Sequence, residues 1–291
     1  VTLEQLRIFI AVGERQHVTE AAKFLGLTQS AVSAAVAALE ERHAVKLFDR
    51  VGRRIELTPA GKLFLVEARA VLARAQAAER MLDDLTGLAR GTLSLAASQT
   101  AGNYWLPPVM QRFRQAHPGI ALTLVIGNTE QTCRAVEEGE ADLGFVEDVV
   151  KDPSLRLDRV AGDELLLFAA PGHPLVGKPA IEPDDLWRAV WVMREAGSGT
   201  RAILAAMLRQ QGVDPARIDV ALELPSNEAV RAAVEAGGGI SVLSRLVVAA
   251  SLRAGTLVAL PLPLPERGFF AVRHADRHGS QAASAFLTLL G

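Results

Sequence analysis

The stretch Thr19-Glu20-Ala21-Ala22-Lys23-Phe24-Leu25-Gly26-Leu27-Thr28-Gln29-Ser30-Ala31-Val32-Ser33 decides how the first part of the chain folds. Thr19 is a good N-cap for a short helix carrying Ala21, Ala22 and Leu25. Gly26 breaks that helix, and Thr28 caps another that runs to about Glu41. The small pair Ala21-Ala22 lets the two helices approach, and Leu27, Val32, Val36 and Leu39 form the inner stripe of the second. This is a helix-turn-helix pattern, in which the later helix enters the major groove of DNA. Its outer face begins with Gln29, Ser30 and Ser33 and continues with Ala34 and Ala37. Glutamine can bond adenine through two contacts and serine can reach bases or phosphates, whereas alanine offers only a methyl group. On spacing alone, a glutamine in a first turn is more often merely solvated.

Upstream, Leu3, Leu6, Phe9, Ile10 and Val12-Gly13 give a helical stripe that ends at glycine. Downstream, Lys46 to Arg50 and Arg54 to Leu57 read as two short strands around Val51-Gly52-Arg53, a small β-wing. Thr58-Pro59 then starts a helix with a capping residue and proline at its first position. Nothing stops that helix before about Leu88. Phe64, Ala68, Val71, Ala75, Ala78, Leu82 and Leu85 alternate in steps of four and three, the seam of a coiled coil. At roughly 1.5 Å per residue the rod would be about 42 Å long. Packing on the chain's own body would also cover the stripe, but a dimer partner is the favoured reading.

After Arg90-Gly91 the pattern changes. Strands are expected at Thr92–Ala97, Ala121–Ile126, Leu143–Val146, Leu165–Ala170, Val190–Met193, Val220–Leu224 and Gly239–Leu243. Helical stretches lie between most of them, including one from about Asn103 to Ala116, and the last helix spans about Ser280 to Leu290. This is α/β alternation. A strand, Ser98-Gln99-Thr100 and a helix are echoed by a strand, Gly197-Ser198-Gly199-Thr200 and a helix, which suggests two similar lobes about a cleft. Hydroxyls and free amides at a helix start favour anions. Each loop alone more often just caps its own helix; the duplication favours a ligand site.

The bulk numbers bound the alternatives. A chain of 291 residues, 49% hydrophobic and 22% charged, suits two or three folded domains. The 31 Lys+Arg and 33 Asp+Glu nearly cancel, so any attraction for nucleic acid must be local. The lone Cys133 excludes an internal disulfide, fits a reducing cytoplasm, and reads as a small hydrophobe. Trp105, Trp187 and Trp191 read as core. No signal-peptide pattern opens the sequence and no run is apolar enough to span a membrane, so a cytoplasmic protein with no membrane partner is expected. An enzyme is disfavoured: Gly197-Ser198-Gly199-Thr200 lacks a P-loop lysine, and neither metal spacing nor a nucleophile elbow appears. No cofactor is expected. A solute-binding transport protein would account for the α/β part but not for the wing or rod.

The run Thr19 to Ala22, Leu25 to Ser33, Leu39-Glu40-Glu41, Leu47-Phe48-Asp49-Arg50 and Leu57-Thr58-Pro59-Ala60-Gly61 resembles the LysR-type transcriptional regulator family in order and spacing. Arg194 to Arg201 looks like its branch of sulfur-assimilation and carbon-fixation regulators. The departures are Ala34-Ala35, where the family has a basic or amide residue after the serine, and Ala44, where it usually has glycine. The resemblance implies a multidomain chain. A winged helix-turn-helix occupies residues 1–58, a linker and dimerisation helix 59–90, and a two-lobed sensor resembling periplasmic binding proteins 91–291. Lobe I would hold about 91–161 and 267–291, lobe II about 162–266. It further implies DNA contacts from Thr28, Gln29, Ser30, Ser33, Arg50, Arg53 and Arg54. Through Thr58 there are eight Lys/Arg against seven Asp/Glu, a net +1, so the wing arginines form a patch and not a basic domain. A small anionic metabolite would sit among Ser98, Gln99, Thr100, Asn128, Thr129, Glu147, Ser198, Gly199, Thr200 and Asn227. Arg194 or Arg201 could add charge, although a surface arginine is the commoner case. Partners implied are promoter DNA, a second copy within a tetramer, and RNA polymerase.

Overall fold

Thr2 opens the first helix with a reciprocal cap: its hydroxyl accepts the Gln5 amide at 3.1 Å while the Gln5 carboxamide accepts the Thr2 amide at 3.0 Å. The computed structural model describes residues 1–51, 54–84, 91–147, 150–277 and 279–290. Helix α1 (Leu3–Arg15) continues past Gly13, which is buried beside Leu57, and ends where Gln16 turns left-handed at φ 50°. Helix α2 (Val18–Leu25) follows at once. Its cap position is His17 and not Thr19, because the Gln16 turn and one extended residue lead straight into the new helix. Gly26, at φ 67°, closes it. Helix α3 (Gln29–His43) starts where the Thr28 hydroxyl accepts the Ala31 amide at 3.2 Å. Its inner stripe is Val32, Val36 and Leu39; Leu27 lies in the turn and is 36% exposed. Ala44 ends it in the left-handed region at φ 50°, which explains why glycine suits that place.

The wing is an antiparallel pair, β1 (Phe48–Val51) and β2 (Arg54–Leu57), with Phe48 opposite Leu57. It begins at Phe48 and not at Lys46 because Glu40 occupies the approach. One Glu40 oxygen accepts the Leu47 and Phe48 amides at 2.7 and 3.1 Å, and the other takes the Lys46 ammonium at 3.0 Å. Burial pushes the Glu40 carboxyl up, but those donors together hold it below its usual value. Thr58 donates to the Lys46 carbonyl and accepts the Gly61 amide, opening α4 (Pro59–Asp84). Gly61 sits so close that a Cβ there would stand 2.1 Å from the Leu47 carbonyl. Part of the seam is used at home: Phe64 packs on Phe9 at 4.9 Å and Ala68 is buried in the same core. Leu63, Val66, Val71 and Leu82 stay exposed. Leu85 and the expected end near Leu88 lie outside the described residues.

The chain divides into two compact units, the first containing these elements and the second both α/β sheets. The second contains β3 (Gly91–Ser98), a π-helical turn (Ala101–Trp105), α5 (Leu106–Ala116), β4 (Ile120–Gly127), α6 (Thr129–Glu138), β5 (Leu143–Val146) and β6 (Leu155–Asp163). It continues with β7 (Leu165–Ala169), α7 (Pro183–Arg188), β8 (Val190–Arg194), α8 (Gly199–Gln210), β9 (Asp219–Leu224) and α9 (Asn227–Glu235). The remainder is β10 (Ile240–Ser244), α10 (Arg245–Ala254), β11 (Val258–Ala259), β12 (Arg267–His274) and α11 (Gln281–Thr288). The wide π turn replaces the expected start at Asn103, since Pro107 and Pro108 cannot donate back into that turn.

The first five-stranded sheet has the order β4-β3-β5-β12-β6, the second β11-β7-β10-β8-β9. Strands β3, β4 and β5 run parallel, as do β8, β9 and β10, with helices as crossovers. Strands β6 and β12, absent from the sequence reading, pair antiparallel from Leu155↔His274 to Asp163↔Arg267 and carry the chain out of the first sheet and back. Phe113, Phe145, Phe269 and Phe286 fill one core; Trp191, Leu167 and Leu208 fill the other. Trp105 stacks on Phe269 at 5.2 Å, but Trp187 is 37% exposed with Arg217 over its ring, so it is not a core residue.

Candidate functional site

In the first unit, Thr28, Gln29, Ser30, Ser33, Ala34 and Ala37 are all exposed along one side of α3. The Thr28 and Ser30 hydroxyls lie 3.1 Å apart, so one of them is engaged before any ligand arrives. Arg50 and Arg54 are exposed on the two wing strands in successive pairs of the ladder, Arg50↔Ile55 and Val51↔Arg54, and so project from opposite faces of the wing. Arg53 lies outside the described residues. The α3 side thus presents hydroxyls and one amide, and each wing face carries one exposed guanidinium.

The second unit builds its site from strand ends. Register places Ala97 beside Ile126 and Phe145, Val146 beside Phe270, and Arg267 beside Asp163. The next residues, Ser98, Asn128 and Glu147, therefore share one edge of the first sheet with Arg267 and Asp163. The facing edge of the second sheet carries Arg194, Leu224 and Ser244, the last residues of β8, β9 and β10. In open α/β sheets ligands bind at such edges.

The edges meet in a seam of direct hydrogen bonds. Gln99 donates to the Pro225 carbonyl at 2.7 Å and accepts the Asn227 amide at 2.9 Å. The Asn227 carboxamide donates to Thr100 at 3.1 Å and accepts from Arg194. The Thr129 hydroxyl accepts the Gly199 amide at 3.1 Å, and Asn128 donates to Glu195 at 3.3 Å. Tyr104 donates to Glu228 at 2.9 Å; burial, and then that carboxylate, push its phenol up to about 12. The serines and threonines of the echoed loops divide the work. Ser98 and Ser198 accept amides of their own helical turns, whereas Thr100 meets Asn227 and Thr200 accepts from Arg267 at 2.9 Å.

Two buried arginines anchor the seam. Arg194 is buried, against the expectation of a surface residue, and its guanidinium forks onto Glu195 at 2.7 and 2.9 Å. Arg201 instead reaches out to Glu223 and the Arg194 carbonyl. Arg267 donates to Asp163 at 2.5 Å, and Asp163 also accepts Ser244 at 2.6 Å. Glu147 is buried with no hydrogen bond or ion pair among the described residues. Sequence reading missed Arg267 and Asp163. The available signal was a charged residue opening the apolar run Gly268 to Val272 after a proline-rich stretch.

Open space lies to one side of this seam. A groove of about 570 Å³ runs between α6 and α8, lined by Thr129, Cys133, Arg134, Ser198, Gly199 and Arg201 among others. Thr129, Ser198 and Gly199 thus face the groove, while Ser98, Thr100, Asn128, Glu147, Thr200 and Asn227 are packed into or behind the seam. The Cys133 thiol is pushed up to about 11 by burial and then by Asp152 and Glu137, so it behaves as a small hydrophobe. Among the described residues there is no cluster of three metal-ligating side chains and no single helix long and apolar enough to cross a membrane.

Comparison with known proteins agrees with this division. Residues 3–62 match the bacterial regulatory helix-turn-helix of the lysR family, and residues 86–291 match the LysR substrate binding domain. The chain is 38% identical over 289 residues to the uncharacterized HTH-type transcriptional regulator YeiE of Escherichia coli (strain K12), covering 99% of this chain and 96% of that protein. It is 34% identical over 290 residues to a probable RuBisCO transcriptional regulator of Trichormus variabilis, covering 98% and 86%. The CcmR regulatory domain of Synechocystis PCC6803, solved in complex with 2-PG, aligns with a TM-score of 0.64 at 32% identity, covering 69% of this chain and 96% of that one.

Proposed function

This chain belongs to the LysR family of transcriptional regulators, as a DNA-binding protein with an effector-binding domain, and from that premise we propose how its two units divide the work. Its likeness to a RuBisCO regulator places it near the carbon-fixation branch. Residues 1–58 bind promoter DNA: Gln29, Ser30 and Ser33 meet bases, and Thr28, Arg50, Arg53 and Arg54 meet phosphates. Residues 59–90 pair two copies through the exposed apolar side chains of α4, and two such dimers form a tetramer that contacts RNA polymerase. Residues 91–291 bind a small anionic metabolite between the lobes, with Ser98, Gln99, Thr100, Asn128, Thr129, Glu147, Ser198, Gly199, Thr200 and Asn227 around it. The protein works in the cytoplasm, by binding and not by catalysis, without a cofactor.

The observation that carries this reading is the seam, where hydroxyls, amides and two buried guanidiniums from facing sheet edges converge. A ligand with differential affinity for one arrangement of these groups shifts the lobes, and the shift alters how the paired units sit on DNA. Small molecules are known in such domains, as the Synechocystis complex with 2-PG illustrates. The test is a thermal-shift screen of carboxylates, sulfur oxyanions and phosphorylated metabolites on the full chain. A ligand at a hundred times its Kd adds about 2.7 kcal/mol, an easily read rise in Tm. If none of these anions raises Tm while neutral or cationic compounds screened beside them do, the anionic reading is wrong.

A further inference from the structure

Two ion pairs in the seam bear on how an anion could enter. Arg267 and Asp163 are side chains only 3% and 2% exposed, fixed opposite each other on β12 and β6 and held further by Ser244. That pair is sealed. Arg194 and Glu195 differ. The Arg194 side chain is 4% exposed and its Glu195 partner 22%, so the carboxylate stands on the solvent side of the guanidinium. Glu195 belongs to the loop between β8 and α8, and the next residues, Ala196 to Gly199, line the groove. Its carboxylate receives the Arg194 fork and the Asn128 amide from the facing lobe. A fork, a neutral amide donor and a neighbouring helix start are what an external carboxylate, sulfate or phosphate would need.

We infer that Glu195 is an internal occupant of the anion subsite: its carboxylate holds Arg194 in the ligand-free chain, and an arriving anion displaces it. The inference rests on the anionic reading above and adds the cation that would receive the ligand and the group that competes for it. Displacement exchanges one carboxylate for another anion on the same guanidinium, so no buried charge is left unpaired. It also passes the Asn128 amide from Glu195 to the anion, so that this bond between the lobes then runs through the ligand. Anion binding and lobe contact are thereby coupled through a single side chain.

The test is calorimetric titration of the full chain with inorganic sulfate and phosphate. Glu195→Gln keeps the shape and removes the competing charge, and its affinity for both anions should rise about tenfold, within the usual range of coupling between sites. The double variant R194M/E195M removes both charges together, so it folds without an orphaned ion and should bind neither anion. Affinity in E195Q equal to or below that of the unaltered chain overturns the inference, as does retained binding in R194M/E195M. Should E195Q fail to fold, the double variant alone decides. In either case binding by the unaltered chain leaves the anionic reading standing. No binding of either anion by any of the three proteins overturns both.

Discussion

The exposed side of α3 and the seam between the sheets draw on the same residue types and use them in opposite ways. On α3, Gln29, Ser30 and Ser33 point into solvent, and the inner stripe of Val32, Val36 and Leu39 carries the packing. In the seam, Ser98, Thr100, Thr129 and Asn227 are buried and each is hydrogen-bonded. Polar groups left in water cost nothing to fold and keep their donors for a partner. Polar groups in a seam are committed to one another, so any ligand must outbid existing bonds. The first arrangement suits a surface that docks on a large polyanion, and the second suits a switch whose two states lie close in energy.

The contrast can be strained at several points. Asp163→Ala leaves Arg267 buried without its carboxylate, and stability should fall by about 3–5 kcal/mol in a urea titration of the full chain. A loss under about 1 kcal/mol would show that the seam tolerates an unpaired ion. Thr100→Val removes the acceptor for the Asn227 carboxamide and should cost about 1–3 kcal/mol, whereas Ser33→Ala on α3 should be nearly neutral in the same assay. Ala44→Gly should stabilise the first unit by about 0.5–1 kcal/mol, since relief of a left-handed alanine exceeds the added freedom of the unfolded chain. Unchanged unfolding would mean that the cap is not strained.

Acid should act on the seam in a definite direction. Burial pushes the Glu195 carboxyl up, but the Arg194 bonds and charge and the Asn128 amide together hold it below its usual value. A depressed folded-state pKa stabilises above the ordinary Glu range, about 4.3, and that contribution is lost as the pH falls through the lower folded value. The Tm difference between the unaltered chain and Glu195→Gln should therefore shrink as the pH drops below about 4. A constant difference would detach Glu195 from the pairing.

Local chemistry made the first unit legible. Thr28 and Thr58 announced helix starts, Gly26 announced a stop, and the inner spacing of Val32, Val36 and Leu39 defined a face. The errors there were also local: Gly13 lies inside a helix because a buried contact favours it, and His17 rather than Thr19 takes the cap position of α2. Parallel strands such as Leu143–Val146 were visible as short apolar runs. Strands β6 and β12 were not, because each finds its ladder in a partner a hundred residues away and carries charges such as Asp158 and Arg273. The seam was half visible. Hydroxyls after strands suggested polar loops, but that Thr129 meets Gly199 and Thr100 meets Asn227 follows only from the juxtaposition of two sheets. The pairs Arg194–Glu195 and Arg267–Asp163 gave little sign beyond the place of Arg267 at the head of an apolar run, since an arginine in sequence looks the same whether exposed or sealed.

The central claim is that DNA contact belongs to α3 and the wing while the seam governs response. It is tested most directly by a salt-varied titration of DNA from upstream of the protein's own gene with the unaltered chain, R50A/R54A and Thr200→Val. The account predicts specific binding by the unaltered chain and by Thr200→Val with equal salt slopes. For R50A/R54A it predicts weaker binding to every sequence and a slope lower by about four for a bound dimer, two lost phosphate contacts in each copy. Absence of a specific complex at any salt, or a salt slope that changes in Thr200→Val and not in R50A/R54A, would contradict it.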